Sequence, residues 1–246
     1  MKGVILAGGT GSRLLPLTKT TNKHLLPVYN KPMIFFPLET LKSAGISDIM
    51  VITGTHHAGA IFQLLGSGHE YGVHFTFRVQ DTAGGIPSAI SLAKDFVGKD
   101  RFVSINGDNI LTESIKPFVD AFAAGKEKAR ILLYKGDVEQ AKKSGIAITQ
   151  GEKVVDLIEK PKEPPSTLIS IGVYMYSAEV FDVIASLKPS ARGETEITEV
   201  NKFFLRQSAL ASNVINGEWL DAGTIDELWE SNVRLKKILE KKDQKQ

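Results

Sequence analysis

Short apolar runs alternate along the first half of the chain with segments in which apolar residues recur every three or four positions. The runs at 4–7, 49–53, 73–79 and 102–105 have the length and composition of buried strands. The segments at 33–44, 58–65 and 87–97 have helical spacing. Buried strands that alternate with helices are typical of a parallel sheet covered on both faces. The pattern therefore predicts an α/β fold.

The second half of the chain has shorter apolar segments, separated by turn residues. We expect strands at 130–135, 146–150, 154–158 and 170–176, and helices at 178–187, 197–207 and 224–241. Gly136 and the pair Gln150-Gly151 suit the turns between antiparallel strands. The whole pattern predicts a mainly parallel or mixed central sheet with helices on both faces and a small antiparallel β lobe.

Composition excludes several classes of protein. With 246 residues, 42% of them hydrophobic, the chain can bury the core of a single domain, 1–246. The net charge is +2, and the lysine-rich end at 236–246 accounts for it. The rest of the chain has no basic stripe of the kind that binds a nucleic acid, so we expect no nucleic-acid partner. The absence of cysteine excludes disulfides, a thiolate nucleophile and a zinc ribbon. No apolar run approaches the ~20 residues of a membrane span, and we expect a cytoplasmic protein without a membrane partner.

The loop after the first predicted strand carries the clearest chemical signal. Gly8, Gly9 and Gly11 lack a Cβ, so their N–H groups can surround a phosphate, and Arg13 and Lys23 add positive charge. A dinucleotide-binding loop would need another glycine and an immediate helix, and a P-loop would end in Gly-Lys-Ser/Thr. Neither fits. What remains is Gly-Gly-x-Gly-x-Arg followed, after nine residues, by Lys-His-Leu-Leu-Pro in a long extended loop.

This loop resembles the signature of the sugar-1-phosphate nucleotidyltransferases, most closely the short-form glucose-1-phosphate thymidylyltransferases. Five further segments resemble family motifs in the family's order: Lys31-Pro32-Met33-Ile34, Asn106-Gly107-Asp108-Asn109, Glu159-Lys160-Pro161, Gly193-Glu194-x-Glu196-Ile197-Thr198 and Trp219-x-Asp221-x-Gly223-Thr224. The resemblance implies a Rossmann-like nucleotide-diphospho-sugar transferase fold. It places a nucleotide-binding part at about 1–110, a sugar-phosphate-binding part at about 111–225 and a last helix at about 224–241.

The resemblance also implies a role for individual residues. Asp108 and Asp221 would bind Mg²⁺, a cation that prefers oxygen ligands, although a lone Asp-Asn pair is more often a turn. Arg13, Lys23 and Lys160 would be catalytic, the first two on the triphosphate and the third on the sugar phosphate. The nucleotide site would comprise Leu6, Gly8, Gly9, Thr10, Gly11, Ser12, Arg13, Lys23, His24, Gln80, Gly85 and Asp108. The sugar-phosphate site would comprise Asn109, Gly145, Glu159, Lys160, Tyr174 and Glu194, although a strand tyrosine is as often part of the core.

A direct displacement is the reaction that the resemblance implies. No cysteine and no Ser-His-acid pattern supplies a covalent nucleophile, so the sugar phosphate itself would attack the α-phosphorus and release pyrophosphate. The resemblance suggests dTTP and glucose 1-phosphate. His24 and the segment Gly85-Ile86-Pro87 depart from the common pattern near the expected base pocket, so UTP or another hexose 1-phosphate is the alternative. A non-catalytic nucleotide-sugar sensor is a more remote one. The partners would be small molecules, and an assembly of identical subunits stays open.

Overall fold

The computed structural model describes residues 1–82, 84–151, 153–188, 190 and 193–243. Its strands are β1 (Lys2–Ala7), β2 (Pro27–Val28), β3 (Lys31–Pro32), β4 (Asp48–Gly54), β5 (His74–Gln80), β6 (Phe102–Asn106), β7 (Asn109–Leu111), β8 (Ala129–Lys135), β9 (Gly145–Gln150), β10 (Lys153–Glu159), β11 (Leu168–Tyr176), β12 (Leu210–Val214) and β13 (Trp219–Asp221). Its helices are α1 (Phe35–Ser43), α2 (Ala58–Leu65), α3 (Gly85–Ser91), α4 (Lys94–Val97), α5 (Lys116–Ala124), α6 (Val138–Lys143), α7 (Val180–Ser186), α8 (Ile197–Arg206) and α9 (Ile225–Asp243).

One mixed sheet organises the described residues. Its strands follow the order β10-β9-β11-β6-β1-β4-β5, and β8 and β12 extend it from β11. The strands β6, β1, β4 and β5 are parallel, whereas β11 runs antiparallel to β6. The fold class predicted from the sequence is confirmed. The expected antiparallel lobe is the β9-β10 hairpin with its neighbours, and these strands are hydrogen-bonded into the main sheet.

Helices pack on both faces of this sheet, as alternating side chains on the buried strands require. On β1, Ile5 and Ala7 face the cluster that holds α1, α2 and α5, whereas Val4 and Leu6 face the cluster that holds α3, α4, α7 and α8. Full burial of such aliphatic side chains contributes ~1.5–3 kcal/mol each. The central strands are therefore rigid supports for whatever follows their ends.

A third apolar cluster packs the glycine loop and the strands β2 and β13 against the last helix. It joins Leu14 from the glycine loop and Val28 from β2 to Leu220 from β13 and to Leu228 and Leu235 from α9. The two-stranded sheets β2-β3 and β7-β13 lie in this part of the molecule. The burial of these side chains fixes β13 and the glycine loop relative to each other.

The loop between β1 and β2 differs from the extended conformation expected for it. It forms three single-turn 3₁₀ helices, Ser12–Leu14, Leu17–Lys19 and Lys23–Leu25. Prolines and polar residues disfavour a long helix here, but a 3₁₀ turn needs only one or two backbone hydrogen bonds. Asn22 caps the third turn by accepting a 2.9 Å hydrogen bond from the backbone N–H of His24.

Other differences concern element boundaries and short strands. The helix expected at 87–97 is two helices, α3 and α4, separated by a turn. The helices α5 and α6 and the strands β2, β3, β7, β12 and β13 were not predicted. Of these, β7, β12 and β13 are short and pair with distant parts of the chain. No helix in the described ranges is both long enough and apolar enough to cross a membrane.

Candidate active site

Most of the predicted site residues lie at the edge where the parallel strands end. Gly8 follows β1, Gln80 ends β5 and Asn106 ends β6. Open α/β sheets bind ligands outside the carboxyl ends of their strands. Two cavities open here: one of ≈ 450 Å³ beside the glycine loop, the glycine cavity, and one of ≈ 200 Å³ around Tyr174, the Tyr174 cavity. A wider groove of ≈ 980 Å³ shares Arg13, Lys160 and other lining residues with the Tyr174 cavity.

The glycine cavity collects part of the predicted nucleotide site. Its lining includes Gly8, Gly9, Thr10, Ser12 and Gln80. The Gln80 side chain packs against Gly8: its Oε1 lies 2.7 Å from the position that a Gly8 Cβ would take. A side-chain amide offers a donor and an acceptor together, as the edge of a pyrimidine does. The exposed rings of His56 and His57 also line this cavity, although no sequence pattern singled them out.

Lys23 and Asp108 form a largely buried ion pair. Lys23 Nζ lies 2.5 Å from Asp108 Oδ2, and the two side chains are 11% and 15% exposed. Burial alone would raise the pKa of the Asp108 carboxyl, but the nearby Lys23 ammonium holds it below its usual range. Asp108 is therefore a carboxylate at neutral pH.

His24 supports the turn that carries Asp108. Its side chain is 1% exposed, and its Nδ1 lies 2.7 Å from Asn22 Oδ1. The ring packs directly on Gly107, where a Cβ would stand 2.5 Å from His24 Cδ2, and the Gly107 N–H donates a 2.8 Å hydrogen bond to the Leu6 carbonyl. Burial and the neighbouring Lys23 charge lower the pKa of His24 to about 3. The ring is neutral at physiological pH, and its contacts hold the Gly107–Asp108 turn in place.

Asp221 is brought next to this turn by the pairing of β13 with β7, in which Asp221 faces Asn109. Burial, followed by the charges of Asp108 and Glu227, raises the pKa of Asp221 to about 7. Its Oδ1 is shielded from solvent and has no hydrogen-bond partner in the described part of the chain. Two converging carboxylates with an unpaired oxygen fit a divalent cation, whose charge would remove their repulsion.

These two aspartates would supply only part of a metal's coordination. Among the described residues, no group of three or more His, Cys, Asp or Glu side chains could hold an ion. Mg²⁺ usually keeps several waters and binds one or two carboxylates together with phosphate oxygens. The donor set here fits that pattern.

The Tyr174 cavity brings together most of the predicted sugar-phosphate residues. Its lining includes Asn109, Gly145, Glu159, Lys160 and Tyr174, together with Asp108 and Asp221. Glu159 Oε1 lies 3.7 Å from Lys160 Nζ, and Glu159 Oε2 accepts a 2.5 Å hydrogen bond from Thr198 Oγ1. Burial, with a smaller effect of the Glu159 charge, raises the pKa of Tyr174, so that its phenol stays protonated.

Lys160 has an unusual backbone for its residue type. Its φ of 43° lies in the left-handed region, and its N–H donates a 3.0 Å hydrogen bond to the Ser144 carbonyl. Residues other than glycine are strained in this region and are found there most often at functional sites. Lys160 lines the Tyr174 cavity, so this left-handed residue lies at the candidate site.

Asn109 lines the same cavity, but its amide is already engaged within the protein. Its Oδ1 accepts hydrogen bonds from Trp219 Nε1 at 2.7 Å and from the Gly172 N–H at 3.2 Å. Its Nδ2 lies 3.3 Å from Asp108 Oδ1. Asn109 thus ties β13 and β11 to the Asp108 carboxylate.

Several predicted residues lie outside the expected cavity, and Leu6, Gly11, Lys23 and His24 line neither the glycine cavity nor the Tyr174 cavity. Arg13 borders the Tyr174 cavity and not the glycine cavity, and its Nη2 lies 3.1 Å from the position of a Gly223 Cβ. Gly11 lies beneath Lys23. Gly85 and Glu194 adjoin each other outside the lining of both cavities, and residues 191 and 192 next to Glu194 lie outside the described residues. The roles in binding of Gly85, Glu194 and all the other predicted site residues stay predictions.

Among the residues that line the Tyr174 cavity without having been predicted are Asn106, Ser170, Thr198 and Trp219. Asn106, Thr198 and Trp219 belong to the motifs recognised in the sequence, so the motifs could have identified them. Ser170 has no such signal, since it lies within an ordinary strand pattern.

Comparison with known proteins adds relatives that cover nearly the whole chain. The sequence profile of the nucleotidyl transferase family matches residues 2–238. The low-salt glycan biosynthesis nucleotidyltransferase Agl11 of Haloferax volcanii is 46% identical over 234 residues, which cover 94% of this chain and 65% of that protein. The chain thus spans less than two thirds of that relative. A glucose-1-phosphate thymidylyltransferase of Neisseria meningitidis is 37% identical over 235 residues, which cover 94% of this chain and 81% of that protein.

Solved structures show the same architecture. A Bacillus anthracis protein, provisionally assigned as a glucose-1-phosphate thymidylyltransferase and crystallised with sucrose, is 51% identical. It superposes with a TM-score of 0.91, covering 95% of this chain and 94% of that one. A UDP-glucose pyrophosphorylase with bound UDP-glucose superposes with a TM-score of 0.84 over 96% of this chain and 98% of that one. At 22% identity, this second match shows a shared fold only.

Proposed function

Because the chain belongs to the nucleotidyl transferase family, we propose that it transfers the nucleotidyl group of dTTP to glucose 1-phosphate, forming dTDP-glucose and pyrophosphate. One observation carries the proposal: Asp108, Asp221 and Lys160 all line the Tyr174 cavity. The relatives named as glucose-1-phosphate thymidylyltransferases, about 40% identical over most of the chain, support these two substrates.

The side chains of this chain suit a reaction between two polyanions. Lys23 and Arg13 would hold the triphosphate and the departing pyrophosphate, and Lys160 would hold the phosphate of the sugar. With both phosphates held in this way, the sugar phosphate would attack the α-phosphorus in line with the bond that breaks, without a covalent enzyme intermediate. Asp108 and Asp221 would hold Mg²⁺, which supplies positive charge to the phosphate oxygens when it is bound.

Base recognition is assigned to the glycine cavity. Gln80 would bind the edge of the thymine, and the backbone of the glycine loop would contact the phosphates. The partners in this proposal are small molecules. A cytoplasmic location and an assembly of identical subunits remain predictions from the sequence.

A substrate grid tests the proposal. Pyrophosphate release is measured for dTTP, UTP, CTP, ATP and GTP against glucose 1-phosphate and other hexose 1-phosphates, with Mg²⁺ present. We expect the highest kcat/KM for dTTP with glucose 1-phosphate, and near-background release from Asp221→Asn protein. If no pair of substrates released pyrophosphate, the proposed reaction would be wrong. A preference for UTP would overturn only the assignment of the base.

A further inference from the structure

Two side-chain oxygens in the wall of the Tyr174 cavity have no hydrogen bond of ordinary geometry with any residue that the structure describes. Asn106 ends β6, and Ser170 lies on β11, the strand hydrogen-bonded to β6. Asn106 Oδ1 and Ser170 Oγ are both shielded from solvent, and no described residue pairs with either atom. Buried polar atoms in proteins are nearly always hydrogen-bonded, so an unpaired atom in a cavity wall points to a ligand.

The contrast with Asn109 shows which amide is available. A Cβ on Gly172 would overlap Asn106 Nδ2 and would stand 2.7 Å from Asn109 Nδ2, so both amides converge over the same glycine. The Asn109 amide is held by Trp219 and by the Gly172 N–H. The Asn106 amide has no hydrogen bond to any described side chain or backbone group, and Asn106 borders the cavity.

Ser170 lies on the same wall. Ser170, Gly172 and Tyr174 are alternate residues of β11 that all line the cavity. Ser170 Oγ lies close enough to the Tyr174 phenol to lower its pKa as a hydrogen-bond partner, but the two groups do not meet ordinary hydrogen-bond geometry. Rotation of the serine hydroxyl changes the direction of its hydrogen, and exchange of the amide O and N of Asn106 changes which atom donates, so the pair can offer a donor or an acceptor.

We propose that Asn106 and Ser170 together hydrogen-bond one hydroxyl group of the sugar ring, and so select a hexose 1-phosphate that carries this hydroxyl over its deoxy analogue. The inference rests on the proposed function. A hydroxyl both donates and accepts, as an amide and a serine do, whereas a phosphate would require the cation that Lys160 supplies elsewhere in the cavity. A site that hydrogen-bonds a substrate hydroxyl strongly rejects an analogue without it, since the site's own polar groups are then left unpaired.

The test compares variants across a series of deoxy sugars. kcat/KM is measured for wild-type, Asn106→Leu and Ser170→Ala proteins with glucose 1-phosphate and with its 2-, 3-, 4- and 6-deoxy analogues. We expect Asn106→Leu to lower kcat/KM for glucose 1-phosphate by about 10- to 100-fold. For one deoxy analogue the loss should be less than about threefold, because the contact that the substitution removes is already absent. Ser170→Ala should show the same pattern with a smaller amplitude.

Ser104→Ala is the matched control. Ser104 lies on β6, and its hydroxyl is likewise buried without a partner among the described residues, but it does not line the cavity. Its selectivity among the deoxy sugars should equal that of the wild type. Equal losses for all five sugars in both cavity variants, or no loss at all, would overturn the inference.

Two further readouts keep the outcomes distinct. Melting temperatures show whether each variant is folded, and if Asn106→Leu does not fold, Ser170→Ala alone decides. Failure of the wild-type protein to release pyrophosphate with any hexose 1-phosphate would overturn the proposed function. Activity without a shared deoxy position for the two variants would overturn only the assignment of Asn106 and Ser170.

Discussion

Replacing Lys23 with methionine tests whether the ion pair with Asp108 holds the site together. Methionine keeps much of the length of the side chain and removes its charge. The Asp108 carboxylate loses a partner at 2.5 Å and keeps, among the described side chains, a hydrogen bond from the Asn109 amide at 3.3 Å. The substitution therefore leaves a largely buried charge without its cationic partner, held by that weak contact and by a backbone N–H.

The expected cost follows from the burial of the pair. Removing one partner of a buried ion pair lowers the free energy of unfolding by about 3–5 kcal/mol. The side chains here are 11% and 15% exposed, and water can replace part of the lost contact, so we expect about 2–4 kcal/mol. For a chain of this size, a loss of 1 kcal/mol lowers Tm by about 2–4 °C, which predicts a decrease of roughly 5–15 °C.

Urea unfolding at pH 7 in the presence of a chelator measures this loss. Lys116→Met is the control, because the Lys116–Asp120 pair is 54% and 60% exposed and should contribute about 0.5 kcal/mol or less. The double variant Lys23→Met/Asp108→Asn should be more stable than the sum of the single variants predicts, since a neutral amide needs no counter-charge. Additive losses, or a loss for Lys23→Met no larger than for Lys116→Met, would refute this account of the pair.

Three further outcomes are expected. Lys160→Ala should raise KM for glucose 1-phosphate about 10- to 100-fold and change KM for dTTP little, because the lost charge lies in the Tyr174 cavity. Equal changes of KM for both substrates in steady-state kinetics would contradict the assignment of Lys160 to the sugar phosphate. Asp221→Asn should weaken Mn²⁺ binding at least about tenfold in calorimetry with nucleotide present, because a charged oxygen ligand is lost; unchanged affinity would remove Asp221 from the metal site. Gly107→Ala should lower Tm by several degrees, because the added Cβ would stand 2.5 Å from the buried His24 ring. The control Gly59→Ala in α2, where no atom lies within 4 Å of the new Cβ, should leave Tm unchanged. Equal melting curves for the two variants would show that the turn can relax.

The sequence predicted the parallel part of the sheet closely, because β1, β4 and β6 each contain a continuous apolar run and β5 alternates apolar and polar residues. The helix α2 has its predicted bounds, and β4 and β5 differ from prediction by one residue at each end. By contrast, β12 has no apolar run and depends on pairing with β8, far earlier in the chain. Local patterns cannot reveal a strand whose stabilising partner is this distant.

Motif spacing identified Asp108, Asp221 and Lys160, which the structure does bring to one cavity. It did not show that the Asn109 amide would be occupied, because this depends on Trp219, which lies 110 positions later. It also gave no sign of Ser170, since a lone serine on a strand carries no chemical pattern. Residue type could be read from the motifs, but the availability of each polar atom depends on tertiary contacts.

The left-handed backbone of Lys160 makes the residue that is best for stability at position 160 different from the one that the proposed reaction requires. A non-glycine residue in this conformation costs about 1 kcal/mol, part of which the greater freedom of glycine in the unfolded chain would offset. Lys160→Gly could therefore increase the ratio of folded to unfolded molecules by up to roughly fivefold while it removes the cation from the cavity. A library selected only for survival at high temperature would enrich this change and lose the reaction, so position 160 should be kept constant when the protein is engineered.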